Sequence, residues 1–123
     1  MALIGAHLLL DRTALPERWP ADWTVPVRAH PLEPPSGLGA PREFEWQADD
    51  FSNDSASAVV EMLRDNERVQ RRMIGVLREP ATMQFELVPS GDYLRISVHQ
   101  FARELPDPTA VEALITVGRA LTE

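Results

Sequence analysis

The stretch Thr82–Phe101, TMQFELVPSGDYLRISVHQF, decides the architecture. Two runs of alternating apolar and polar residues flank Pro89-Ser90-Gly91-Asp92. Alternation with a period of two marks half-buried strands, and the Pro/Ser/Gly/Asp cluster marks the turn between them. With all four residues in the loop, Val88 pairs with Tyr93. Leu87 then faces Leu94, Phe85 faces Ile96 and Met83 faces Val98. On the opposite face Glu86 meets Arg95 and Gln84 meets Ser97. Apolar residues meet apolar residues, and the charged pair outside the core is complementary. Such a hairpin needs its apolar face covered, so other segments must supply a second layer.

Ser55–Glu79 supplies the first cover. Val59, Met62, Leu63, Val69, Met73 and Val76 recur on one stripe of a helix. Asn66 falls within the stripe, but the phase is kept across it. The pattern predicts one helix of about 36 Å, ended by Pro80. The preceding Asp49–Asp54, DDFSND, combines acidic and capping residues, a helix-start signal. Downstream, Asp107-Pro108 reads as the cap and first residue of a second helix. Val111, Leu114, Ile115, Gly118 and Leu121 follow at helical spacing.

The N-terminal half is less regular. Ala2–Leu10, ALIGAHLLL, is apolar on both faces and reads as a buried strand, with Gly5 letting a neighbour come close. Thr13–Trp23 holds two prolines and two tryptophans, and reads as a short turn from Pro16. Thr24–Ala29 is extended, but Pro26 assigns it to a sheet edge or to no sheet. His30–Arg42, HPLEPPSGLGAPR, is a stiff proline-rich loop. Glu43–Gln47 alternates as a half-buried strand, with Phe44 and Trp46 on one face. The expected fold is therefore one α+β domain over residues 1–123. It has a mostly antiparallel four-stranded sheet with two helices on one face, in the order β-β-α-β-β-α, and a Pro-rich loop at 30–42.

Composition narrows the chemistry. The 123 residues include 12 arginines and no lysine, against 19 carboxylates, for a net charge of −7. The absence of cysteine excludes disulfides, thiolate nucleophiles and Cys-type metal sites. The absence of lysine excludes Schiff-base chemistry and a P-loop lysine. Ala2–Leu10 is too short to span a bilayer and lacks the flanks of a signal peptide, so a cytoplasmic protein is expected. A strongly acidic surface favours a basic protein partner over nucleic acid or membrane. His7, His30 and His99 lie far apart with no ligand spacing, so neither a metal nor another cofactor is expected. His99, Glu86 and Arg95 belong to one sheet face, but no nucleophile motif accompanies them, and no catalytic residue is assigned.

Two surface features remain. Glu43, Glu45, Asp49 and Asp50 form an acidic segment, and Trp19 and Trp23 are candidate anchors beside it. Together they are the expected binding surface for a basic partner. Arg64, Arg68, Arg71 and Arg78 line the polar side of the long helix. They read as a solvated face or, alternatively, as a site for a phosphate or other anion. The expectation is a non-enzymatic acidic interaction protein, of the bacterial inhibitor or immunity type, neutralising a basic partner such as a toxin. A small anion-binding regulatory domain using the arginines is the alternative, and a small enzyme the third reading.

Overall fold

A computed structural model describes residues 2–31, 44–77, 82–102 and 108–123. Five strands are present: β1 (Ala2–Asp11), β2 (Val27–Pro31), β3 (Phe44–Ala48), β4 (Thr82–Ser90) and β5 (Tyr93–Ala102). Three helices accompany them: α1 (Asp54–Asp65), α2 (Glu67–Leu77) and α3 (Pro108–Thr122). The strands form a single antiparallel sheet in the order β1-β5-β4-β2-β3. The class is α+β, as the sequence implied, with one strand and one helix more than expected.

The hairpin closes more tightly than the four-residue loop of the sequence reading. Gly91 has φ 57°, a conformation open to glycine and strained for most other residues. It allows a two-residue turn, Gly91-Asp92, so that Ser90 pairs with Tyr93. The register is thereby corrected by two positions. Phe85 lies opposite Val98, Leu87 opposite Ile96, and Glu86 opposite Ser97. From Gln84 to Val88 this even slip keeps each side chain on its expected face, and the register shifts again only between Thr82 and Gln84. Pro89 is tolerated inside β4 because its pair with Leu94 is the non-hydrogen-bonded kind next to the turn. The side where its N–H is missing faces β2, whose pairing with β4 stops at Leu87.

Two strand assignments change. Among the described residues the Ala2–Leu10 segment is a sheet edge paired to β5 alone, not a buried strand. Ala6, Leu8 and Leu10 pack toward the core, whereas Leu9 on the other face is 63% exposed. The Thr24–Ala29 segment gives an interior strand rather than an edge. Pro26 stops just short of the ladder and accepts a hydrogen bond there from Asp49 N (3.0 Å), leaving β2 free to pair with both β3 and β4.

The predicted long helix is two. Asn66 takes extended angles, φ −89° and ψ 101°, and caps the end of α1 through its N–H to Leu63 O (3.3 Å). Its side-chain Oδ1 then accepts from Val69 N (3.2 Å), and its carbonyl from Gln70 N (3.0 Å). One asparagine thus ends one helix and begins the next, as its competing side-chain acceptor permits. Asn66→Ala is expected to cost about 1 kcal/mol and Asn66→Asp much less. Urea unfolding checks this: equal losses for both variants would mean the cap is not what holds the bend.

The bend gives each helix its own partner. α1 covers β3 and β2, α2 packs on α3 and β4, and α3 lies over β1 and β5. Trp23, Trp46, Phe85, Leu87 and Ile96 are fully buried between sheet and helices. Trp46 meets Phe85 edge-on at 6.3 Å. The chain from β1 to β2 crosses the hairpin-turn end of the sheet. It begins with a 3-10 turn at Arg12–Ala14 and turns again from Pro16 and Pro20, where Trp19 N bonds Pro16 O and Trp23 N bonds Pro20 O. These turns deliver Trp19 and Trp23 into the core, stacked at 6.3 Å.

Candidate functional site

The acidic segment lies along the edge formed by β3 and the start of α1. Strand alternation turns Trp46 and Ala48 inward and leaves Glu45 exposed. Asp50 then accepts from Ser52 N (3.0 Å) and Ser52 Oγ (2.7 Å), forming a tight turn. Asn53 caps α1 by accepting from Ala56 N (2.9 Å). The turn pushes Phe51 outward, 78% exposed. Asp22 reaches this end of α1 from the other side, where it accepts from Ser55 Oγ (2.7 Å).

Between β3 and α1 runs a groove of about 270 Å³, lined by Glu45, Gln47, Phe51, Val60, Glu61 and Arg64, among others. Arg64 is the cation there, 3.8 Å from Glu45 and in long contact with Trp46 O (3.4 Å). Hydrogen bonds from the Ser52 hydroxyl and N–H hold the Asp50 carboxyl below its usual range. The Arg28 guanidinium does the same for Asp49, binding both oxygens at 2.8 and 3.0 Å. Both carboxylates stay charged into the acid range, but of the two only Asp49 is paired with a cation among the described residues.

The expected residues separate accordingly. Glu45, Asp49 and Asp50 share this edge. Glu43 lies outside the described residues. Trp19 is 8% exposed and Trp23 fully buried, so neither presents a ring for docking. Trp23 Nε1 donates to Val25 O (2.7 Å), while Trp19 Nε1 has no acceptor among the described residues. Phe51, the aromatic exposed on this edge, was missed in the sequence; the signal it offers there is being the lone apolar residue within DDFSND.

The arginines do not form one stripe, because the break at Asn66 divides them. Arg64 belongs to the β3–α1 groove. Arg68, Arg71 and Arg72 line a second groove of about 360 Å³ with Gly75 and Thr116, between α2 and α3. Arg68 pairs with Glu123 (2.9 Å) and Arg72 with Glu112 (3.5 Å), whereas Arg71 has no ion-pair partner among the described residues. Arg78 lies outside the described residues.

The sheet face away from the helices is polar. Glu86, almost fully buried, sits between Arg28, which it contacts directly, and Arg95 at 3.6 Å. Ser97 opposite it is fully buried, its hydroxyl 2.7 Å from His7 Nδ1. His99 lies beside His7, ring centroids 6.0 Å apart. His99, Glu86 and Arg95 do share a face, but the hydroxyl among them is enclosed. Among the described residues no three acidic or histidine side chains converge as a metal site, and no helix is long and apolar enough to cross a membrane.

The fold and its surfaces define an α+β protein with three helices on one face of a five-stranded antiparallel sheet and an acidic edge bearing an exposed aromatic. No protein-family model, curated protein or solved structure matches the chain.

Proposed function

We infer that this is an acidic interaction protein that engages a basic protein surface, in the manner of an inhibitor neutralising a cationic partner such as a toxin. The reading rests on one observation: Phe51 stands 78% exposed within an edge bearing Glu45, Asp50, Asp54 and Glu61. An exposed aromatic ringed by like charges combines a buried anchor with a steering rim, the division of labour found in tight interfaces. Net charge −7 adds long-range attraction for a cationic partner. The anchor role first assigned to Trp19 and Trp23 passes to Phe51.

The test is affinity capture of the partner, followed by binding kinetics. A Glu45→Gln/Asp50→Asn/Glu61→Gln variant is expected to associate roughly tenfold more slowly at low salt, with the difference shrinking as salt rises. Phe51→Ala is expected mainly to speed dissociation. An unchanged association rate at low salt would reject steering by this edge. A second reading, an anion site between α2 and α3, is favoured by Arg71, which has no ion-pair partner among the described residues. It is opposed by Glu112 and Glu123, which already occupy its neighbours.

A further inference from the structure

The two edges of the sheet are built differently. β3 is five residues long, carries exposed Glu45 and is flanked by the acidic turn. Short length and charge are the ordinary protections of a free edge. β1 has neither. It runs ten residues in unbroken register with β5, without a bulge or proline, and no formal charge occurs between Ala2 and Leu10.

Its backbone is also available. The two-residue turn makes Ser90–Tyr93 a hydrogen-bonded pair, and the alternation of antiparallel ladders carries that parity across β5. Even-numbered residues of β1 therefore bond to β5, in keeping with Arg12 N to Asp92 O at 2.9 Å. Gly5, His7 and Leu9 turn their N–H and C=O groups outward, where no strand pairs with them among the described residues.

Apolar side chains flank this edge on both layers. Leu9 and Tyr93 are exposed on the open sheet face. On the helix side, Val111 and Ile115 are exposed, and Ile115 shares a groove with Leu8, Leu10 and Gly118. Gly118 lets α3 lie close on the strand: a Cβ there would meet Leu8 Cδ2 at 2.8 Å. Ile115 lies almost one turn before Gly118 and lines the groove beside Leu8 and Leu10 of β1.

We propose that β1 is the interface of a homodimer, pairing antiparallel with β1 of a second copy so that one ten-stranded sheet runs through both. A two-fold axis through the middle of β1 would also bring the Ile115 row of α3 against its copy, the self-complementary arrangement of an isologous dimer. Charge supports a second copy as the occupant. Each chain carries −7, so self-association is least opposed where the strand bears no charge before its last residue, Asp11, and the exposed α3 cation, Arg119, borders it. Area supports it as well. A ten-residue strand is about 33 Å long, and a sheet plus a helix layer is about 20 Å deep. The strip approaches the roughly 800 Å² per partner of a standard interface. Because β1 and β3 are opposite edges of the sheet, the dimer leaves both acidic edges free.

Sedimentation equilibrium on the intact chain at about 50 µM, a concentration that populates interfaces of this size, tests the proposal. The expected mass is twice 13.8 kDa. Leu9→Lys on the open face and Ile115→Glu on α3 should each weaken the dimer at least roughly tenfold. Both positions are exposed, so circular dichroism should show an intact fold. Phe51→Ala on the far edge should leave the dimer unchanged. A chain that stays at 13.8 kDa at this concentration would overturn the proposal. So would a dimer that survives both β1-side substitutions, or one that Phe51→Ala dissociates. Binding of a foreign extended peptide by a monomeric chain would equally overturn it.

Discussion

Phe85→Ala is expected to lower stability by about 3–5 kcal/mol, the range for emptying an aromatic site in a closed core. Phe85 is fully buried, stands edge-on to Trp46 at 6.3 Å, and faces Val98 across the hairpin and Ala29 across β2. Relaxation into the cavity is limited because β2, β4 and β5 are fixed to one another by backbone pairing. Urea unfolding of the wild type and the variant gives the value. A double-mutant cycle also reads the register. Phe85 should couple more strongly to Val98, its direct neighbour, than to Ile96 on the diagonal, by about 0.5 kcal/mol. Stronger coupling to Ile96 would restore the four-residue loop, and a loss below about 1 kcal/mol would place Phe85 outside the core.

Glu86→Ala is the second large effect, expected at about 1–3 kcal/mol. From the sequence alone Glu86 belongs to a solvent-facing pair with Arg95, and exposed pairs contribute under about 1 kcal/mol. The structure raises the figure for a specific reason. The Glu86 side chain is 7% exposed and serves two guanidiniums at once, contacting Arg28 directly and Arg95 at 3.6 Å. Among the described residues, removing it leaves Arg28 with Asp49 alone and Arg95 without an ion-pair partner, beside the buried Ser97. Glu86→Gln keeps the shape and some hydrogen bonding, and should recover part of the loss. A cost for Glu86→Ala no greater than for an exposed carboxylate such as Glu61, measured by the same unfolding curves, would return Glu86 to the surface.

Both predictions come from a sheet whose parts were unequally visible in the sequence. Local patterns determined the hairpin strands, the half-buried strand around Trp46, the start of α3 at Pro108 and the acidic turn before α1. They did so because alternation, helical spacing and capping are properties of neighbouring residues. Phe51 within DDFSND was passed over, because nothing local separates an exposed ring from a buried one. Tertiary structure decided the rest. Whether β1 is buried or an edge depends on which strand lies beyond it, and apolar residues on both its faces look alike in either case. Pro26 could not reveal that β2 is interior, because only its position just outside the ladder makes it harmless. The hairpin turned on a single φ at Gly91, and the helix on one side chain at Asn66 that bonds forward to Val69. Trp19 and Trp23 went to the core because the crossing from β1 to β2 passes over the open end of the sheet, where only large side chains in that segment can close it. Glu86 became buried through Arg28, a residue fifty-eight positions away in sequence, and no local pattern carries a contact of that range.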